Sequence, residues 1–200
     1  MKAVRATGVE TFRGVQVQIG EVIGWRNLFW SLTDAMACNP EPWVDGTVLP
    51  NVRASTAYRL FMTEAYPAVR AIVERVVASG LIYLPSHARD FKNPDIDKYL
   101  KRYVRGSNNI DYKQRIKLMK LLWDAIGTEF GARHELYEMN YAGSHELVRL
   151  FPLHQATGSG ALADMEALAD KCMADYDEDG WIGDTYSDGS DISIVGKGGY

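Results

Sequence analysis

The densest run of chemically capable side chains lies between Trp123 and Glu146, and its helical pattern breaks at Asn140-Tyr141-Ala142-Gly143. On a helix, Arg133, Tyr137 and Asn140 fall at i, i+4 and i+7, so one face presents a guanidinium, a phenol and an amide to the turn that follows. Such a set can hold an anionic or polar ligand; the same spacing equally describes a solvated face carrying an exposed Arg and Glu pair. His134-Glu135 opens like a zinc-protease helix, in which a second histidine one turn on completes the metal site and the glutamate acts as base. Position 138 is Glu138, so the three or four ligands that zinc needs are missing and no metal is expected. No residue of the run is assigned a catalytic role.

Other motifs are weaker. Asp175, Asp177 and Asp179, followed by Gly180 and Ile182, copy the first half of a calcium loop, but its last position is Tyr186, which cannot supply the bidentate carboxylate. An acidic surface turn is the reading there. Gly158-Ser159-Gly160 matches a dinucleotide glycine pattern only in part, without a preceding strand. His87, His145 and His154 have no serine or cysteine partner at a diagnostic spacing, which leaves nucleophilic catalysis without support.

With 46% hydrophobic and 24% charged residues in 200, the chain has the composition of one globular domain or a part of a larger one, and disorder is not expected over most of it. The net charge of -4 leaves no basic footprint for nucleic acid. Charged residues interrupt every hydrophobic segment before it reaches the roughly 18 residues of a membrane span. Residues Met1 to Phe12 lack the apolar core of a secretory signal. Cys38 and Cys172 are far apart and match no metal-ligand spacing, which favours reduced thiols in a cytoplasmic protein.

The elements that would position the run are helices. Residues 1 to 18 fit either an extended lead-in or a helix start. Ile19 to Ala37 carries apolar residues at i, i+3, i+4 and i+7, predicting an amphipathic helix ended by Asn39-Pro40-Glu41-Pro42. The connector from Asn39 to Asn51 is read as an ordered loop anchored by Trp43 and Val48, with a turn at Asp45-Gly46. Ser55 or Thr56 caps a helix with the stripe Tyr58, Phe61, Ala65, Val69, Ile72 and Val76, kinked or broken at Pro67 and stopped at Gly80. Leu81 to Pro85 is extended or packed under a loop. Asn93-Pro94-Asp95 opens a short helix that Gly106 to Asn109 closes. Asp111 opens the longest helix, to about Met139, in which Gly127 and Gly131 favour close packing over a ligand contact. A short apolar segment, Leu147 to Leu153, ends at Pro152; a loop at 157 to 160 and a last helix from Leu162 to Met173 follow. Four or five helices, two of them long, and no convincing sheet make an all-α bundle, residues 1–175, with an acidic, glycine-rich tail at 176–200.

Leu122-Trp-Asp-Ala-Ile-Gly127, Glu129-Phe-Gly-Ala-Arg-His-Glu-Leu-Tyr-Glu138 and Asn140-Tyr-Ala-Gly-Ser-His-Glu146, with Gly80-Leu-Ile-Tyr-Leu-Pro85 and the segment from Asp95 to Gly106, resemble the C-terminal domain of the 4-hydroxyphenylacetate 3-monooxygenase family. These are oxygenase components of two-component flavin monooxygenases. The resemblance implies an acyl-CoA-dehydrogenase-like C-terminal helical bundle that packs against an N-terminal helical region and a central β-barrel. It implies FAD as cofactor, supplied reduced by a separate flavin reductase, and hydroxylation of a phenol such as 4-hydroxyphenylacetate ortho to its hydroxyl by oxygen. The family's flavin lies against the loop matching Asn140, Tyr141, Ala142, Gly143 and Ser144, with Arg133 and His134 close by. Glycine and alanine there let backbone approach a ring system.

In the family the substrate-binding residues lie in an N-terminal portion, so this chain is expected to supply the bundle and one wall of the flavin site and to hydroxylate nothing alone. The alternative is a non-catalytic helical oligomerisation module from a truncated or split gene. Bundle helices of this kind pack across subunits, so a dimer or tetramer is expected. Cys38 and Cys172 do not match the iron-sulfur ligands of the related dehydratase branch.

Overall fold

The computed structural model describes residues 1–174. The calcium-like pattern at 175–186 and the predicted tail at 176–200 lie outside the described residues. The chain divides into two compact units, Met1–Pro152 and a second from Leu153 onward. Among the described residues the fold is all-α apart from one hairpin of two two-residue strands.

Helix α1 (Lys2–Thr7) settles the ambiguity of the first residues as a short helix, with Val4 and Ala6 almost fully buried. Gly8 ends it at φ 75, a left-handed conformation, and a side chain there would collide with Ser107. The amide of Ser107 donates to the carbonyl of Ala6 at 3.0 Å, and Asn108 bridges the carbonyl of Arg5 and the Glu10 carboxylate, so α1 is tied to the 106–110 loop. Helix α2 spans Arg13–Cys38, starting six residues before the predicted Ile19. Its glycines cost ~1 kcal/mol each relative to alanine, which does not stop a helix of this length.

Between Asn39 and Asn51 the chain forms a hairpin, β1 (Glu41–Pro42) against β2 (Val48–Leu49), with the turn at Asp45 and Gly46 as expected. Trp43 and Val48 do not anchor it, since both are largely exposed. Instead Asn51 holds the connector: its side chain donates to the carbonyl of Asn39 and accepts the amide of Ala54. Asn51 therefore caps α3 (Val52–Val77), and Ser55 and Thr56, predicted as caps, lie inside the helix with their hydroxyls donating back to the carbonyl of Val52.

Pro67 does not break α3. The lost amide and ring clash cost ~3 kcal/mol in a helix interior, but Thr63, Ala65 and Ile72 are buried on both sides of it, and that packing keeps the helix continuous. Helix α3 ends at Val77, before Gly80, and a 3-10 turn over Ala78–Leu81 follows. Leu81 joins Ala6, Val77 and Met119 in the central apolar cluster, with Leu84, Ile110 and Leu122 packed around it, whereas Ile82 and Tyr83 remain exposed.

Asn93 caps α4 (Pro94–Tyr103) by accepting the amide of Asp95, and Asp111 caps α5 (Tyr112–Ile126). The predicted single helix to Met139 is two. α5 stops at Gly127, Thr128 accepts the amide of Gly131 as a new N-cap, and α6 runs over Glu129–Tyr141. Helix α7 (His145–Gly158) passes through Pro152, where the short segment was expected to end. Gly160, at φ 81, precedes α8 (Ala161–Met173), close to the predicted Leu162 start.

Candidate functional site

The two interior glycines build the corner from which α6 departs. A Cβ on Gly131 would sit 2.8 Å from the carbonyl oxygens of Asp124 and Ala125, so the start of α6 rests directly on the last turn of α5. A Cβ on Gly127 would meet the Trp123 ring at 2.6 Å. One turn after Gly131, Glu135 is the other buried residue of α6, and its carboxylate accepts a 2.7 Å hydrogen bond from the Arg70 guanidinium of α3. The same guanidinium donates through Nε to Glu74 at 3.0 Å. The Glu74 hydrogen bond, with Glu135 beside it, raises the Arg70 pKa, and burial next to Glu135 pushes the Tyr66 phenol above its ordinary value.

The outward faces of α6 are aromatic and open. Phe130 is 80% exposed and Tyr141 73%, and Leu136 and Tyr137 are likewise exposed. The Tyr137 and Tyr141 rings lie 5.1 Å apart, and Phe130 stacks on His134 at 6.2 Å. Arg133 is exposed and pairs with Glu129 at 2.7 Å, while His134 Nε2 is 3.8 Å from Glu138. Among the described residues no group of histidine, cysteine or acidic side chains is disposed to hold a metal ion.

Asn140 and Tyr141 close α6, which runs past the break expected at Asn140, and Ala142, Gly143 and Ser144 make the turn into α7. Asn140 donates its side-chain amide back to the carbonyl of Leu136 at 2.8 Å, and its own carbonyl accepts the amide of Gly143 at 3.1 Å. Gly143 has φ 119, which side chains rarely adopt, and a Cβ there would also meet Leu147 at 3.1 Å. Ser144 begins α7: its hydroxyl accepts the amide of Leu147 at 3.2 Å and its carbonyl that of Val148 at 3.0 Å. Arg149, one turn on, pairs with Glu64 of α3, and Val148 is buried. With the Leu147 and Val148 amides taken by Ser144, the His145 and Glu146 amides are the donors left at the α7 start beside Gly143, at its positive dipole end.

Residues 1–170 match the family described as 4-hydroxyphenylacetate 3-hydroxylase C terminal. The chain belongs to that family. It is 54% identical over 196 residues to the oxygenase component of 4-hydroxyphenylacetate 3-monooxygenase from Pseudomonas aeruginosa, covering 98% of this chain and 38% of that protein. The oxygenase component of a Rhodococcus 4-nitrophenol 2-monooxygenase is 51% identical over 195 residues, with the same coverage. Among solved structures, an oxygenase component of 4-hydroxyphenylacetate 3-monooxygenase in complex with FAD and 4-hydroxyphenylacetate superposes with a TM-score of 0.76 at 25% identity, over 88% of this chain and 36% of that one. The chain thus spans little more than a third of the length of these relatives. Its fold is the all-α, acyl-CoA-dehydrogenase-like bundle expected from the sequence.

The ion pairs from Arg70 to Glu135 and from Glu64 to Arg149 are not announced by the sequence, in which Glu135 drew attention only through the rejected resemblance of His134-Glu135 to a zinc-protease helix. One signal was present: Glu135 lies one turn from Gly131, on the face that the glycine marks as close-packed.

Proposed function

We propose that this chain is the C-terminal part of a reduced-flavin-dependent aromatic monooxygenase, and that the turn at Asn140, Tyr141, Ala142, Gly143 and Ser144 forms one wall of its FAD site, with Arg133 and His134 nearby. The observation that carries this reading is the turn itself: Gly143 at φ 119, without a side chain, set against the donor end of α7 and flanked by exposed aromatic rings. That donor set fits reduced FAD, a fused tricyclic ring system with hydrogen-bonding edges joined to a diphosphate. Bound there, reduced flavin would supply the oxygen-activating chemistry by which one atom of dioxygen enters a phenol ortho to its hydroxyl. The chain's own residues have simpler tasks. Gly143 and Ala142 let backbone come close, the first amides of α7 hold negative charge, and the Tyr137 and Tyr141 rings exclude water from one edge.

The same reading assigns a flavin reductase as the source of reduced FAD, a phenolic substrate of the 4-hydroxyphenylacetate kind, and a cytoplasmic location, with which the free, exposed thiols of Cys38 and Cys172 agree. It also assigns a homo-oligomer, dimer or tetramer. No residue of the 26-residue α2 is buried, and Val17, Ile23 and Trp30 are exposed, which leaves apolar surface for another subunit. That same surface favours the second reading, a helical assembly module without catalysis. Anaerobic titration of the full chain with reduced FAD separates the two. Saturable binding that Gly143→Val weakens at least about tenfold, a loss of ~1.4 kcal/mol, is expected of a flavin wall; binding indifferent to Gly143→Val overturns the turn as its wall, and absence of binding favours the assembly module.

A further inference from the structure

Helix α6 is held to the rest of its unit in an unusual way. Its apolar side chains Phe130, Leu136, Tyr137 and Tyr141 are exposed, and the only residues it buries are Gly131 and Glu135. Gly131 seats the first turn of the helix against the carbonyls of Asp124 and Ala125, and Ala132 and Met139 are half-buried. The one fully buried side chain of the helix is that of Glu135. Its carboxylate reaches the guanidinium of Arg70, which Glu74 holds from the other side through a second hydrogen bond on α3 itself. After Glu135 no residue is fully buried until Val148, although Glu138, Met139, Ala142 and Gly143 are half-buried, so the candidate turn lies between an ionic anchor and an apolar one. On the far side, α7 is tied to the same helix by Arg149 and Glu64.

We infer that the Arg70 to Glu135 pair, oriented by Glu74, is a positioning latch that sets the rotation of α6 on α3 and thereby the place of the turn at Asn140 to Ser144. A two-pronged guanidinium suits this task, because two hydrogen bonds in one plane fix direction as well as distance. An apolar pair of similar volume can replace a buried ion pair with little loss of stability, but it has no directional bond with which to hold a helix at one rotation. Position and stability are therefore separable here. As far as the latch is assigned to flavin binding, it rests on the function proposed above; its effect on the turn does not.

The test uses the full chain and two readouts. Amide hydrogen exchange of the flavin-free protein reports the turn, through the Gly143, Leu147 and Val148 amides whose acceptors are Asn140 and Ser144. Anaerobic titration reports affinity for reduced FAD. The double variant Arg70→Met with Glu135→Leu is expected to keep the parent melting temperature, to speed exchange at those three amides on the order of tenfold relative to amides of α3, and to weaken flavin binding by a similar factor. Arg70→Lys, which keeps the charge but cannot hold both glutamates in one plane, is expected to fall between the parent and Arg70→Met. If the double variant folds and its turn amides exchange as slowly as in the parent, the latch is overturned. Should it fail to fold, the comparison passes to Arg70→Lys, where unchanged turn exchange overturns the latch equally. A parent chain that binds no flavin contradicts the flavin reading, while the exchange contrast still decides the latch.

Discussion

Asp97 accepts hydrogen bonds from Tyr112 at 2.6 Å and from Lys101 at 2.7 Å, tying α4 to the first turn of α5. The bonds from Lys101 and Tyr112 hold the Asp97 carboxyl below the ordinary carboxylate range, and burial with the Asp97 bond pushes the Tyr112 phenol up to about 12. The signs of the two shifts bound a pH window. A lowered carboxyl pKa contributes stability above the unfolded value near ~3.9 and loses it as pH falls through the folded value. A raised phenol pKa contributes stability below its unfolded value near ~10 and loses it as pH rises through the folded one. Tyr112→Phe is therefore expected to melt lower than the parent near pH ~7, with the gap narrowing as pH drops below ~4. Melting curves recorded across that range check it, and a gap that stays constant down to acid pH contradicts the charge-assisted bond. Single residues also mark where sequence is mute. Arg70 and Glu135 are 65 positions apart, and no local pattern announces that they meet.

Among the helices, the best legible boundaries are those written in contiguous residues. Asn93, Pro94 and Asp95 specify a cap by themselves, and Gly143 marks its turn because few other residues take that backbone conformation. The break between α5 and α6 was illegible for the converse reason. The apolar spacing of Met119, Leu122, Ile126 and Phe130 runs across it unbroken, yet Phe130 finishes exposed, because the corner at Gly127 and Thr128 turns α6 off the line of α5. Pro67 misled in the other direction, since tertiary burial of Thr63, Ala65 and Ile72 outweighs its local penalty. The corner itself is testable. Gly131→Ala drives a methyl into backbone carbonyls and is expected to destabilise the chain by ~1–3 kcal/mol. Gly24→Ala, in α2 with no atom near the new methyl, is expected to stabilise it by ~0.5–1 kcal/mol. Urea denaturation of the two variants beside the parent settles both, and equal effects would contradict the corner's close packing.

At the scale of the whole molecule, an apolar cluster around Met119 joins α1, α3 and α5, and ion pairs from α3 reach α6 and α7, on either side of the turn. No helix of the described residues is long and apolar enough to cross a membrane. Family membership was readable from the motif between Leu122 and Glu146 with the segments Gly80 to Pro85 and Asp95 to Gly106, and the all-α fold from helical spacing along the chain as well; the means by which α3 supports that motif was not. The central claim is that the turn between α6 and α7 meets reduced flavin. Amide-resolved mapping of the full chain, anaerobically and with reduced FAD added, locates the contact directly. Protection or shift concentrated at residues 141–148 is the expected result, and flavin binding that leaves those amides unchanged while perturbing another surface, such as the groove lined by Trp25, Phe29 and Tyr58, would contradict it.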